Sequence, residues 1–144
     1  MNIAKRKAEE IVDKYGNDLQ DILSSEGIQI LEVPLHGPLK QLYFGDVVIL
    51  KDNLSSTEKK ELTAHALGHH FLHVGNHWAA SSGAYSWDKL QERQAEVFAA
   101  YLLMPKLRLT TRHYDTAVLN LVDEYNVTEK FAGFRLKLLQ SYRK

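Results

Sequence analysis

The sequence has no cysteine, which excludes disulfide bonds, thiolate nucleophiles and zinc sites built on sulfur. It also has no excess of one charge, because 18 Lys and Arg residues balance 18 Asp and Glu residues, so the chain has no basic surplus to hold a phosphate backbone. No apolar run reaches membrane-spanning length, and the polar start MNIAKRKAEE lacks the apolar core of a signal peptide. We therefore expect a cytoplasmic protein with one domain, residues 1–144.

The apolar residues follow two different periods along the chain. Helical spacing, ended by glycine, predicts helices over 3–15 and 19–27. A β-branched stretch at 28–35, closed by proline, predicts a strand, and KQLYFGDVVILKD predicts an antiparallel hairpin of strands 40–44 and 47–51. The rest of the chain is helical in pattern. The predicted fold class is α+β, with a small three-stranded sheet beside a mainly helical bundle.

The stretch TAHALGHHFLH, residues 63–73, places two histidines four positions apart on a predicted helix. Ser55 and Glu58 predict a capping box at the start of this helix. Four residues turn a helix by about 400°, so His65 and His69 share one face and can point at one ion. Such a pair is the usual way in which a helix supplies two zinc ligands. Taken alone, the spacing is more often a packing or surface feature, so a third ligand decides the question.

A downstream helix offers that third ligand. The stretch SWDKLQERQAEVFAAYLLMP predicts a helix from about Asp88 to Met104, with Ser86 as its N-cap and with apolar stripes that include Leu90. A carboxylate on such a buried helix is costly unless it is paired or binds a cation. Glu92 and Glu96 are therefore both candidate ligands, and the alternative is that both lie on a solvated strip.

LTAHALGHHFLH and ERQAEVFAAYLLMP together resemble the signature of the ImmA/IrrE family of metallo-endopeptidases. Its members typically show H-E-L-G-H-x-x-L-H on one helix and E-x-x-A-N-x-F-A-x-x-L-L-M-P on the next. The first helix, the hairpin and the tail also lie where the family has such elements, so the resemblance covers nearly the whole chain. It implies a zincin-like domain with Zn²⁺ on His65, His69 and Glu92, while Glu96 stands where the family usually has asparagine or aspartate. It also implies a protein substrate, typically a helix-turn-helix transcriptional repressor of a phage, mobile element or stress regulon.

One residue departs from that signature at its centre. Ala66 stands where the family has a glutamate that acts as general base, taking a proton from the attacking water and passing it to the leaving amine. Loss of such a base costs on the order of 10²–10⁴ in rate, so we expect the chain as written to be inactive or nearly so. The alanine is either an engineered Glu→Ala change or a natural loss, and the otherwise intact signature favours engineering. The alternative function is a zinc-containing module that binds a peptide or protein without cutting it.

Several other residues have weaker predicted roles. Tyr43, His77, Tyr85 and His113 are candidates for the donor that stabilises a developing oxyanion. His73 is predicted to brace the end of its own helix or to support a ligand. The stretch WAASSGAYS predicts a rim loop over a cleft.

The tail DTAVLNLVDEYNVTEKFAGFRLKLLQ predicts two helices joined by a short turn at 126–128, similar to a helix-turn-helix. This allows DNA binding as a further alternative. A recognition helix needs several outward polar side chains, however, and only Arg135, Lys137 and Arg143 are predicted to provide them. Direct nucleic-acid binding is therefore the less favoured hypothesis.

Overall fold

The computed structural model describes residues 2–73 and 88–139, which form six helices and a three-stranded sheet. In chain order the elements are α1 (Ile3–Tyr15), α2 (Leu19–Glu26), β1 (Gln29–Val33), β2 (Gln41–Phe44), β3 (Val47–Lys51), α3 (Ser56–Leu72), α4 (Lys89–Leu103), α5 (Tyr114–Tyr125) and α6 (Glu129–Lys137). This architecture confirms the α+β prediction. Within the described residues, no helix is both long and apolar enough to cross a membrane.

Local capping residues fix the limits of the first two helices. The side chain of Asn2 accepts a hydrogen bond from the first turn of α1, and the side chain of Asp18 accepts two from the first turn of α2. Both helices end at a glycine with positive φ, 78° at Gly16 and 70° at Gly27, which a residue with a Cβ rarely adopts. The predicted helix ends are confirmed.

The sheet has the strand order β1-β3-β2. β2 and β3 form the predicted antiparallel hairpin. β1 instead pairs in parallel with β3, with Gln29 opposite Val47, a pairing that the sequence pattern does not indicate. Val48 and Leu50 of the central strand are buried in the core, and α3 packs against this strand. The sheet thus supports the helix that carries the two histidines.

α4 is the central helix of the core and contacts α1, α3 and α6. Ala95 and all residues from Val97 to Met104 are buried, which confirms most of the predicted apolar stripes. Leu90 is the exception, since it lies in the first turn and is 65% exposed. The predicted N-cap is also wrong: Asp88 caps the helix through a reciprocal box with Gln91, whereas Ser86 lies outside the described residues.

The start of α3 only partly follows its prediction. The Ser55 hydroxyl accepts a hydrogen bond from the backbone N–H of Glu58 at 3.1 Å, as expected for an N-cap. The Glu58 carboxylate accepts instead from Nζ of Lys40 at 2.9 Å. The serine half of the capping box is therefore confirmed, and the carboxylate is used to join α3 to the residue before β2.

The last two helices are tied to α3 at their connecting turn. Thr128 caps α6, and the carboxylate of Glu61 on α3 accepts from the backbone N–H of Thr128 at 2.7 Å and from its hydroxyl at 3.2 Å. Nζ of Lys60 donates to the carbonyl of Tyr125. The tail is therefore packed on the domain, with its turn bonded to the first half of α3.

Arg135 on α6 corrects the prediction of an outward basic residue. Its side chain is 2% exposed, and Nε donates to the carbonyl of Met104 at 2.8 Å. The guanidinium also lies 4.1 Å from the centre of the Tyr101 ring. The cation is drawn inward because the last carbonyls of α4 need donors and carry the negative end of the helix dipole. Lys137 is exposed as predicted, and Arg143 lies outside the described residues.

Candidate metal centre

Two successive turns of α3 bring a pair of imidazoles together. Nε2 of His65 lies 3.2 Å from Nε2 of His69, as the four-residue spacing predicts. His69 is 2% exposed and is held in the interior, whereas the His65 side chain is 22% exposed. The pair therefore faces one common point, which is partly open to solvent on the side of His65.

Glu92, in the first turn of α4, completes this cluster. Its Oε1 lies 2.8 Å from Nε2 of His65 and 3.4 Å from Nε2 of His69. One ligand atom from each of the three side chains lies within 4.8 Å of the other two. Among the described residues, no other group of three such side chains is as close. Two imidazole nitrogens and one carboxylate oxygen form a donor set that suits zinc and leaves a fourth position for water or substrate.

The electrostatics of the cluster also suit a cation. The contacts of its carboxylate with the imidazoles of His65 and then His69 lower the pKa of Glu92 to about 2, against the opposing effect of burial. Burial lowers the pKa of His69, against the opposing effect of Glu92. At neutral pH the carboxylate is therefore ionised and His69 is neutral, which are the protonation states that a metal ion requires of its ligands.

Gly68 sets the distance between the two helices that carry the cluster. A Cβ atom at this position would lie 2.9 Å from both Cα and the carbonyl oxygen of Ala95 on α4. A side chain of any size would therefore push against the backbone of α4. Because Gly68 lies between His65 and His69, this close approach allows Glu92 to reach both rings.

The sequence model of the IrrE N-terminal-like domain family, Peptidase_M78, matches residues 23–137 of the 144. The matched region includes both helices that carry the cluster. The chain belongs to this family. The match confirms the resemblance to ImmA/IrrE proteins and identifies the chain as a metallopeptidase family member. No curated protein matches the chain significantly.

The sequence resemblance leaves two positions, 66 and 96, at which this chain is expected to depart from the signature, and the structure separates them. Ala66 follows the first cluster histidine and is 1% exposed, within the apolar core. Glu96 is exposed and does not belong to the three-residue cluster. Of the two candidate carboxylates, Glu92 is thus the one close to the histidines. Glu96 is exposed to solvent, which was the alternative prediction for both residues.

The remaining face of His69 meets His73, the residue at which α3 ends. Nδ1 of His69 and Nδ1 of His73 lie 3.0 Å apart, and Nε2 of His73 lies 2.8 Å from Oε1 of Gln94 on α4. His73 therefore contacts a cluster histidine directly, as the supporting role predicts. The role of Gln94 was not predicted, because a glutamine in an amphipathic helix forms no sequence pattern that indicates a functional contact.

His70 faces away from the cluster, as its position on the helix predicts. Its Nδ1 lies 2.8 Å from the Tyr43 hydroxyl, and its Nε2 lies 3.0 Å from Oε1 of Glu26, whose carboxylate also accepts from the Tyr15 hydroxyl at 2.8 Å. Burial raises the pKa of Tyr43 above its usual range. Sequence reasoning missed this network, which joins α1, α2 and β2 to α3. It also gives Tyr43 a buried partner other than the cluster, although Tyr43 was a candidate oxyanion donor.

Of the other candidate donors, the structure describes only His113, which is not part of the cluster. His113 is exposed and stands at the N-cap of α5, where its side chain makes no capping bond. His77, Tyr85 and the predicted rim loop lie outside the described residues.

A groove of about 460 Å³ opens beside the cluster, between α3, α4 and α6. Its lining combines apolar and charged side chains. The side chains that give it this character are His65, Glu96, Lys130, Leu62, Phe131 and Phe134.

Proposed function

We propose that this domain is a zinc endopeptidase that binds Zn²⁺ through His65, His69 and Glu92 and that, with alanine at position 66, is inactive or nearly so. The single observation that carries the proposal is the cluster of two imidazole nitrogens and one carboxylate oxygen within 4.8 Å. Zinc accepts this donor set and has no need of further protein ligands in a catalytic site.

The protein side chains fix what the site can do. When bound, zinc supplies Lewis-acid chemistry, which acidifies water and polarises a peptide carbonyl. Glu92 contributes the negative charge that holds the cation, and His65 stands at the open edge of the groove where a peptide reaches the site. The remaining requirement is a base that accepts a proton from the attacking water.

Position 66 is the place of that base, and a methyl group cannot accept a proton. It lies one residue, or about 100° of helix rotation, from His65, so a carboxylate there flanks the ion without coordinating it. A general base contributes on the order of 10²–10⁴ in rate, and we expect the chain to lack that factor.

For the substrate we propose a helix-turn-helix transcriptional repressor, which the family resemblance implies, and the cytoplasm as the place of the reaction. The groove next to His65 supports a protein substrate, because Phe131 and Phe134 can receive apolar side chains while Glu96 and Lys130 meet polar ones.

A second candidate function is a zinc-containing module that binds a protein without cutting it. The observation that favours it is the burial of Ala66, which is 1% exposed and packed in the core. A glutamate there needs room and a compensating partner, since burying an unpaired carboxylate is costly.

The variant Ala66→Glu distinguishes these functions, and Ala66→Gln is the matched control because it has the same size but no basic oxygen. Both variants and the parent chain are first checked for folding by thermal melting and for zinc by elemental analysis. They are then incubated with the repressor encoded beside the parent gene and with an unfolded general substrate, with and without a chelator.

We expect cleavage by Ala66→Glu alone, abolished by the chelator. A folded, zinc-loaded Ala66→Glu that binds the repressor and cuts neither substrate would favour the binding module. A parent chain that takes up no zinc would refute the metal site itself.

A further inference from the structure

The face of His69 that points away from the cluster begins a path of hydrogen bonds to α4. Its Nδ1 meets Nδ1 of His73 at 3.0 Å, and Nε2 of His73 meets Oε1 of Gln94 at 2.8 Å. Both histidines are buried. Gln94 is thus connected, through two imidazoles in series, to the Nε2 atom of His69 that faces Glu92.

The contact between two Nδ1 atoms restricts where the hydrogens lie. A neutral imidazole has one N–H and one lone pair, so one of these nitrogens donates and the other accepts. If His69 donates, its Nε2 carries a lone pair toward the cluster. If His73 donates, Nε2 of His69 carries the hydrogen instead. Only the first arrangement allows His69 to bind a metal ion through Nε2.

Gln94 selects the first arrangement. Its amide oxygen accepts a hydrogen bond from Nε2 of His73, which leaves Nδ1 of His73 as an acceptor and makes Nδ1 of His69 the donor. At the other end of the path, Oε1 of Glu92 is 2.8 Å from Nε2 of His65 and 3.4 Å from Nε2 of His69. In the first arrangement the carboxylate accepts its hydrogen bond from His65, and Nε2 of His69 has no hydrogen to donate to it.

We propose that Gln94 is a positioning residue, which through His73 fixes His69 in the tautomer with hydrogen on Nδ1 and the Nε2 lone pair directed at the metal position. The inference rests on the proposed function, because His69 must be a ligand for its tautomer to matter. Histidine ligands usually donate their second N–H to a carboxylate, a backbone carbonyl or water. Here His69 donates its second N–H to His73, which is in turn held by the amide of Gln94. The helix α4 therefore supplies both the ligand Glu92 and the residue that orients the ligand His69.

The tautomers are measured directly in the metal-free protein by long-range ¹H–¹⁵N correlation NMR with ¹⁵N-labelled histidine. His69→Gln and His73→Gln variants assign the two signals. We expect hydrogen on Nδ1 of His69 and on Nε2 of His73. Three variants change what position 94 offers: Gln94→Glu keeps the acceptor, Gln94→Met keeps the length without an acceptor, and Gln94→Lys offers only a donor.

The expected tautomers follow from that series. Gln94→Glu keeps the tautomers of the parent chain, Gln94→Met gives a mixture, and Gln94→Lys reverses both rings so that Nε2 of His69 carries the hydrogen. In a competition titration, zinc affinity should fall by about 10–100-fold in Gln94→Met and be kept in Gln94→Glu. Arg93→Gln is the charge control for Gln94→Glu, because it makes the same change in net charge at the exposed neighbouring residue. It should leave the His69 tautomer unchanged.

Hydrogen on Nε2 of His69 in the parent chain would overturn the proposal, as would one unchanged His69 tautomer across all position-94 variants. Tautomers that respond as expected in a chain that binds no zinc would refute the proposed function and leave the order of hydrogen bonds correct. If Gln94→Met binds zinc as tightly as the parent chain and keeps its tautomer, the positioning role is refuted and the metal site remains intact.

Discussion

A single methyl group at Gly68 tests whether the close crossing of α3 and α4 sets the geometry of the candidate site. In Gly68→Ala the new Cβ would lie 2.9 Å from Cα of Ala95, whereas ordinary contact begins at 3.4 Å. The two helices must therefore separate by about 0.5 Å at this point. Glu92 lies one turn before Ala95 and would move with it, away from His65 and His69, which flank the glycine on α3.

The size of the effect follows from two opposing contributions. Crowding in a packed core costs about 1–3 kcal/mol, while alanine in place of glycine favours a helix interior by about 1 kcal/mol. The free energy of unfolding should fall by up to about 2 kcal/mol, which lowers Tm by several degrees in a chain of this length. A preorganised site holds its ligands to within about 0.5 Å, and the shift of Glu92 is as large as this limit. Zinc affinity should therefore fall by about tenfold or more.

The assay combines thermal melting with a competitive zinc titration, and Gly133→Ala is the matched control. Its Cβ would meet the hydroxyl of Tyr114 at 2.8 Å, which is the far end of a side chain. Among the described residues outside its own helix turn, it would meet no backbone atom within 4 Å. We expect Gly133→Ala to bind zinc as the parent chain does. If Gly68→Ala melts at or above the parent Tm and binds zinc equally well, the helix crossing does not set the ligand spacing.

Two further predictions concern individual carboxylates. Glu92→Gln should weaken zinc binding by more than the roughly 10–100-fold typical of a supporting residue, whereas Glu96→Gln should change zinc binding little. A competition titration measures both affinities, and the reverse order would show that the wrong ligand has been assigned. Hydrogen bonding from His70 lowers the pKa of Glu26, so this carboxylate stabilises the fold above its usual pKa of 4.5, and the contribution is lost as pH falls through the lowered value. Glu26→Gln should therefore cost about 1–3 kcal/mol in urea unfolding at pH 7 and much less once the pH is below the lowered pKa of Glu26, and a gap that does not change with pH would point to lost packing instead.

Much of the fold and the three-residue cluster follow from local sequence patterns. Residues four positions apart on a helix lie on the same face, so the spacing of His65 and His69 already predicts that their rings are close. Glycines with positive φ end α1 and α2 where the helical pattern stops. Glu92 needed more than spacing, since Glu96 fits the helix equally well. The family resemblance chose between them, and the structure places Glu92 at the histidines.

The features that sequence reasoning missed depend on contacts between distant residues. Glu26 and His70 are 44 positions apart, and no periodicity connects them. The parallel pairing of β1 with β3 likewise depends on how the chain passes from β1 to β2, which the strand patterns do not encode. Arg135 was expected to face outward because it is charged, but the unpaired carbonyls at the end of α4 draw it inward.

The bonds between α3 and the tail bear on how the protein can be divided. Glu61 and Lys60 join the first half of α3 to the turn between α5 and α6, and burial raises the pKa of Glu61 against the opposing bonds from Thr128. A fragment that ends after α4 would remove the hydrogen-bond donors of that carboxylate and would expose the apolar faces that Leu121 and Leu136 cover. The helix-turn-helix-like tail is therefore no detachable module. Truncations and domain fusions need to keep residues 114–137 beside the helix that bears the histidines.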